Sequence, residues 1–170
     1  GKKSRQIVEY GIEALKAVWH RGAVDADGKT GDGAGIHVEI PKDFFIEKIE
    51  VTGHDYDNAE ICVGMIFLPR NDYAAQESCK TIVESELTKN NFSIYGWRQV
   101  PVNSKVLGNK ALQTMPEIIQ VLFKSNDANL LDKKLERKIY ETRKRIENKA
   151  FQLSLNNFYV CSISSKSIIY

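Results

Sequence analysis

Cysteine is scarce in this sequence, which has only three in 170 residues. Cys62, Cys79 and Cys161 are odd in number, lie far apart and occur in apolar or periodic segments. A disulfide framework or a structural zinc site needs cysteines that recur in pairs or at short spacings, and no such pattern occurs here. We therefore predict that the three cysteines are buried, reduced thiols of a cytoplasmic protein.

A long hydrophobic run is also missing. The longest apolar stretch, residues 61–68, has the length of a β-strand. It is far shorter than the roughly 20 residues that cross a bilayer as a helix. The N-terminal residues lack the apolar segment of a secretory signal. These absences predict a protein with no membrane partner.

The sequence has no excess of charge of one sign, with 24 Lys and Arg against 22 Asp and Glu and a net charge of +2. This balance predicts no nucleic-acid partner. Residues 132–153 do carry eight basic and four acidic residues. We interpret them as the solvent-exposed face of a helix, with a nucleic-acid docking surface as the weaker alternative.

Metal-binding patterns are missing as well. His20, His37 and His54 are not spaced as zinc ligands, and no cysteine pair accompanies them. The aspartates that follow His20 lack the third oxygen ligand and the terminal glutamate of an EF-hand. We predict no metal site, with His37 on the solvent side of a strand and His20 at a helix end.

What is present has the composition of a soluble domain, with 42% hydrophobic residues. Helical spacing of apolar residues predicts helices over residues 5–20, 75–87 and 132–153, the second capped by Asn71 or Asp72. Alternating or continuous apolar residues predict strands at 36–40, 61–68, 92–102, 118–123, 158–164 and 167–170. Antiparallel neighbours with helices laid against them favour an α+β sandwich over a doubly wound sheet.

Residues 21–35, here called the Gly/Asp loop, contain five glycines and three aspartates between a predicted helix and a predicted strand. A dinucleotide fingerprint is excluded because that motif follows a strand and opens a helix, and a P-loop is excluded because no Gly-Lys-Ser/Thr is present. Glycine allows positive φ and aspartate caps turns, so this composition fits a structural connector or a functional loop. Arg21 favours function, because its guanidinium offers a fixed fork of donors to a carboxylate.

Residues 11–41, GIEALKAVWHRGAVDADGKTGDGAGIHVEIP, resemble the start of the N-terminal glutaminase domain of the glutamate synthase large chain. The similarity continues in VGMIFLPR, IYGWRQVPVN, TMPEI, RKRIE and FYVCSISSKSIIY, and so covers essentially the whole sequence. That family is a class II amidotransferase with an N-terminal nucleophile (Ntn-hydrolase-like). The resemblance implies an α+β fold of the four-layer α/β/β/α type, with residues 1–170 as a single, partial domain that is incomplete at both ends.

The resemblance also implies a function. Family members hydrolyse L-glutamine to glutamate and ammonia, using a cysteine at the mature N-terminus. The ammonia then converts 2-oxoglutarate to glutamate, in ammonia assimilation. We expect no cofactor in this chain, and FMN and a 3Fe-4S iron–sulfur cluster in the full-length parent. The implied partners are L-glutamine, the remaining domains of the parent, and a small electron-donating subunit or ferredoxin.

The resemblance assigns roles within the Gly/Asp loop. Arg21 matches a family arginine that supports catalysis beside the nucleophile, and residues 21–29 match a lid that closes over bound glutamine. The residues assigned to the lid are Arg21, Gly22, Ala23, Val24, Asp25, Ala26, Asp27, Gly28 and Lys29.

The sequence departs from the family pattern at its ends. The family's nucleophilic cysteine would precede Gly1, and its oxyanion-hole Asn-Gly pair and main glutamine-binding arginine would follow Tyr170. We therefore expect the isolated chain to be inactive. The alternative is a non-catalytic binding or interaction module that kept the amidotransferase fold and lost the nucleophile.

Overall fold

The computed structural model describes residues 4–170 and has the predicted α+β class, with two antiparallel sheets. The helices are α1 (Arg5–Ala17), α2 (Lys42–Val51), α3 (Tyr73–Lys89), α4 (Asn109–Thr114) and α5 (Asp132–Gln152). The strands are β1 (His37–Glu39), β2 (Cys62–Leu68), β3 (Phe92–Gln99), β4 (Glu117–Ser125), β5 (Tyr159–Ser164) and β6 (Ser167–Ile169). None of the helices formed by the described residues is both long and apolar enough to cross a membrane.

The described chain divides into two compact units. The larger holds residues 39–100 and 116–168, and the smaller holds residues 4–38, 101–115 and 169–170. That residues 1–170 form a single domain remains a prediction.

The larger unit is built on a four-stranded sheet in the order β3-β4-β2-β5. Its strands pair antiparallel with their neighbours. Strand β2 lies between β4 and β5, and all of its residues are buried except the half-buried Phe67. Strand β2 is therefore covered on both faces, which agrees with its continuous apolar sequence.

Helices α3 and α5 pack against each other and against one face of this sheet. Leu87 of α3 and Ile139 of α5 meet the sheet residues Phe92 and Phe123 in one hydrophobic core. The rings of Phe92 and Phe123 meet edge to face, with centroids 5.3 Å apart. Helix α3 starts as predicted, because Asp72 Oδ1 accepts a hydrogen bond of 2.9 Å from the Ala75 amide.

Helix α5 buries the apolar stripe that its sequence predicts, including Leu135, Ile139 and Ile146. On its outer face, Arg137 pairs with Glu141, and Arg143 pairs with Glu147 where both side chains are half-buried, four residues apart in each case. Pairs at this spacing each stabilise a helix by a few tenths of a kcal/mol. The outer face is therefore a self-paired polar surface, and its nucleic-acid alternative stays untested.

One carboxylate ties α5 to the turn between β5 and β6. Glu136 Oε1 accepts hydrogen bonds from the Ser165 amide and the Ser165 hydroxyl, both at 2.7 Å, and Oε2 accepts one from the Ser164 hydroxyl at 2.9 Å. Ser165 is buried, so these bonds satisfy donors that would otherwise be orphaned. The sequence indicated a strand junction here but not its anchor.

Two helices were not predicted. Helix α2 follows Pro41, which the sequence pattern assigned to the end of a strand; the structure places Pro41 at the helix N-cap. Only Phe45 and Ile49 of α2 are buried, so the helix has no extended apolar stripe. Helix α4 has six residues and lies between the strands predicted at residues 92–102 and 118–123.

The first predicted helix is divided. Helix α1 ends at Ala17, and a 3₁₀ turn over Trp19–Arg21 follows. The Gly22 amide donates to Trp19 O at 2.9 Å and closes this turn, so the helical segment ends at Gly22. None of the residues of α1 is buried.

A glycine at a bulge of β3 is expected to be essential for the stability of the larger unit. Gly96 has φ +152°, and a Cβ added there would lie 2.7 Å from Thr52 Cγ2. Thr52 has little freedom to move, because its hydroxyl lies 2.8 Å from Tyr95 O. We expect Gly96→Ala to lower the free energy of unfolding by about 1–3 kcal/mol.

Urea unfolding of the 170-residue chain measures this effect. Gly22→Ala is the matched control, since its added Cβ would meet Trp19 O at an ordinary 3.4 Å. A Gly96→Ala chain as stable as this control would contradict the prediction.

Candidate functional site

The Gly/Asp loop of the smaller unit is a tight turn with internal hydrogen bonds. Val24 and Gly31 form an antiparallel bridge. Inside it, the Asp25 amide donates to Thr30 O at 2.8 Å, and the Gly28 amide donates to Asp25 O at 2.9 Å. Gly28 has φ +68°, a conformation that glycine adopts without strain. The Gly/Asp loop is therefore an ordered turn, which is compatible with both the structural connector and the functional loop that its composition fits.

The Asp27 carboxylate organises the tip of this turn. Its Oδ1 accepts hydrogen bonds from the Lys29 amide at 3.0 Å and the Thr30 amide at 2.7 Å. Its Oδ2 accepts one from the Thr30 hydroxyl at 2.6 Å. These bonds favour the ionised form, with the Thr30 hydroxyl contributing most, and hold the pKa of Asp27 well below its usual range.

The start of α4 contacts the same turn. Lys110 Nζ lies 2.6 Å from Asp25 Oδ2. Gly108, the N-cap residue of α4, is buried beside Asp27 and Thr30. Neither contact follows from a pattern in the sequence. Where the backbone of one segment lies against another, the sequence shows only the glycine that makes this possible, which here is Gly108.

The base of the loop is also fixed. The Ala23 amide donates to Asp32 Oδ2 at 3.0 Å. On the far side, the Ile36 amide donates to Tyr170 O at 2.8 Å, and the Tyr170 amide donates to Ile36 O at 2.9 Å. The two ends of the Gly/Asp loop are therefore held by separate sets of hydrogen bonds.

Arg21, the residue predicted to support catalysis, lies at the end of the 3₁₀ turn where the loop begins, and its side chain is exposed. The structure thus places a cation at the start of an ordered turn. The other predicted lid residues are exposed too, apart from the half-buried Asp25.

The remaining residues that the sequence singled out lie elsewhere. His37 is exposed on β1, as predicted, and His20 is exposed in the 3₁₀ turn. Cys62 and Cys79 are buried as predicted, whereas the prediction of burial is wrong for Cys161, which is half-buried on β5; all three are free thiols. Within residues 4–170, no three His, Cys, Asp or Glu side chains are grouped so that they could hold a metal ion.

The buried thiols are expected to resist chemical modification. Burial raises the pKa of Cys79 to about 11 and raises that of Cys62 still further. At pH 8 the thiolate fraction of Cys79 is then about a hundredfold below that of a free cysteine. We expect an aromatic disulfide reagent to label neither residue in the folded chain within minutes, and all three cysteines in urea. Rapid labelling of Cys62 or Cys79 without denaturant would contradict this.

The motif residues Tyr95, Trp97 and Arg98 lie on β3, within the larger unit. The Trp97 indole donates to Glu84 Oε1 at 2.6 Å, and Arg98 Nη1 donates to Gln120 Oε1 at 2.8 Å. The Tyr95 hydroxyl donates to Asp57 Oδ1 at 2.6 Å. Each of these side chains has a structural partner on a neighbouring element or loop.

Comparison with known proteins identifies the family. Residues 1–170 match the family described as Glutamine amidotransferases class-II. The chain belongs to this family. The family match supports the Ntn-hydrolase-like fold class that the sequence resemblance implied.

This class-II amidotransferase chain is similar to glutamate synthases of bacteria and plants. It is 52% identical over 170 residues to the glutamate synthase (NADPH) large chain of Azospirillum brasilense, which covers 100% of the chain and 11% of that relative. It is 38% identical over 169 residues to the ferredoxin-dependent glutamate synthase 1, chloroplastic/mitochondrial, of Arabidopsis thaliana, covering 98% of the chain and 10% of the relative. Against the chloroplastic ferredoxin-dependent enzyme of Spinacia oleracea, the identity is 36% over 171 residues, covering 99% and 10%. The chain thus spans about a tenth of the length of these relatives.

Proposed function

We propose that the chain is the glutaminase part of a glutamate synthase, which hydrolyses L-glutamine to glutamate and ammonia. The observation that carries this proposal is the match of residues 1–170 to the class-II amidotransferases, together with 52% identity to a glutamate synthase large chain. In the proposed parent, the ammonia is used to convert 2-oxoglutarate to glutamate. This is the chemistry of ammonia assimilation.

The redox cofactors belong to other parts of the proposed parent. FMN and a 3Fe-4S cluster are expected there, together with an electron donor that is either a small subunit or ferredoxin. Cys62, Cys79 and Cys161 do not form a ligand group, so we assign none of them to a cluster. Their reduced state supports a cytoplasmic location for the parent.

We assign residues 21–29 to a lid over the glutamine site and Arg21 to a supporting role beside the nucleophile. An exposed guanidinium at the hinge of an ordered turn is suited to meet a carboxylate with two parallel hydrogen bonds. An ordered turn also moves as a unit, so closing it excludes water without reorganising its internal bonds.

The attacking thiol is not among the cysteines of this chain. The proposed mechanism needs a cysteine whose own α-amine acts as the base, and Cys62, Cys79 and Cys161 all lie within the chain. Burial also raises the pKa of each of these three thiols, which disfavours the nucleophilic thiolate. We therefore propose that this 170-residue chain alone does not hydrolyse glutamine.

Ammonia release from L-glutamine tests the proposal in two preparations, the 170-residue chain and the parent protein that contains it. We expect release from the parent only. Hydrolysis by the isolated chain would show that the nucleophile is assigned wrongly. A parent that binds glutamine calorimetrically and releases no ammonia would instead support the non-catalytic binding module.

A further inference from the structure

The start of α4 contacts the Gly/Asp loop through Gly108 and Lys110, and neither of these two contacts is used by the function proposed above. The first is a backbone approach at Gly108. The second is an ion pair at Lys110. Both contacts lie within the smaller unit and join segments that are far apart in the sequence.

Gly108 fits against the turn because it has no side chain. A Cβ added there would lie 2.3 Å from Thr30 Oγ1, 2.4 Å from Asp27 Oδ2 and 2.6 Å from the Thr30 amide nitrogen. Its φ of −74° is open to any residue, so the requirement for glycine comes from space and not from backbone conformation. An alanine would displace the Asp27 carboxylate and the backbone that it binds.

Lys110 contacts the same turn at Asp25, two residues before Asp27 in the sequence. Its ammonium lies 2.6 Å from Asp25 Oδ2. The Asp25 amide closes the turn through Thr30 O, so the side chain and backbone of one residue join α4 to the turn. The Lys110 ammonium is largely exposed, so the ion pair contributes little to the stability of the fold. Its effect is on the position of the turn.

We propose that Gly108 and Lys110 are positioning residues for the lid, which hold residues 21–29 in an ordered conformation before glutamine binds. This inference rests on the proposed function. Its physical basis is that a loop ordered beforehand loses less conformational entropy when it closes over a ligand. Neither residue touches the substrate; both act through the Asp25 and Asp27 side of the turn.

The test uses the parent protein and two measurements. Hydrogen exchange of peptides covering residues 21–35 reports the order of the loop, and glutaminase kinetics report its effect on the reaction. For Lys110→Met we expect faster exchange and a KM for glutamine raised about two- to fivefold, with kcat within about twofold. Lys110→Arg should restore both values. Lys105→Met, an exposed lysine in the neighbouring 3₁₀ turn, is the matched control.

For Gly108→Ala we expect a larger effect: kcat/KM for glutamine should fall about ten- to a hundredfold, because the added Cβ displaces the turn itself. Asn109→Ala, an exposed neighbour on the same helix, is its control. If Gly108→Ala does not fold, the surface variant Lys110→Met still tests whether α4 orders the lid.

Exchange of residues 21–35 at the wild-type rate in Lys110→Met would overturn the inference, and so would faster exchange with an unchanged KM. Absence of glutamine hydrolysis by the wild-type parent would refute the proposed function and, with it, the role toward glutamine. The exchange rates would then still show whether α4 orders the loop.

Discussion

Replacing Arg21 by alanine in the proposed parent enzyme is expected to lower kcat/KM for glutamine by about a hundred- to a thousandfold. This corresponds to about 3–4 kcal/mol of lost transition-state stabilisation. A guanidinium that orients a carboxylate through two parallel hydrogen bonds has no substitute once the side chain is truncated. The exposed Arg21 is the last residue of a 3₁₀ turn, and its truncation removes no buried contact.

Two controls separate this role from a general effect of charge. Arg145→Ala removes an exposed arginine from the outer face of α5 and should leave the kinetics unchanged. Arg21→Lys keeps the charge and loses the fork of donors, so we expect it to recover only a small part of the rate. Thermal unfolding of all three variants should match the wild type. Unaltered kinetics in Arg21→Ala would show that this residue has no role beside the nucleophile.

Replacing Phe123 by alanine is expected to destabilise the larger unit by about 3–5 kcal/mol. Phe123 is fully buried on β4, a central strand, and its ring meets that of Phe92 edge to face. Truncation removes this contact and leaves a cavity between the sheet and the helices α3 and α5. A loss of this size is a large part of the stability of a typical domain.

Urea unfolding of the 170-residue chain measures the effect. Phe151→Ala is the matched control, since the Phe151 side chain is 83% exposed and its truncation should change the stability by less than about 0.5 kcal/mol. If Phe123→Ala cost less than about 1 kcal/mol, the core described around β4 would be assigned wrongly.

The sequence predicts best the elements whose buried apolar residues recur at regular spacing over many positions. Helix α5 was predicted over residues 132–153 and is observed as Asp132–Gln152, because Leu135, Ile139 and Ile146 recur at helical spacing toward one core. Strand β2 was predicted over residues 61–68 and is observed as Cys62–Leu68. Only its first residue differs.

Helices α2 and α4 were missed for a shared physical reason. Each buries too few side chains for a periodic signal, two in α2 and none in α4. Their start signals are also ambiguous, because Pro41 equally marks the end of a strand and Gly108 equally marks a loop. Short helices of this kind are fixed by tertiary contacts and not by their own sequence.

The sequence indicates which residues form the candidate site, but it does not indicate how they are arranged in space. Glycine and aspartate between residues 21 and 35 indicated turns, and Asp27 does accept three hydrogen bonds within one turn. The residues that face this turn from α4 could not be found in the same way. No periodicity or spacing connects Lys110 with Asp25, which lie 85 positions apart.

The reciprocal hydrogen bonds between Ile36 and Tyr170 have a practical consequence for how the protein is handled. Through these bonds Tyr170 holds Ile36, the residue that directly follows the Gly/Asp loop. Shortening an expressed fragment by a single residue at this point would fray the loop although nothing in the loop is deleted.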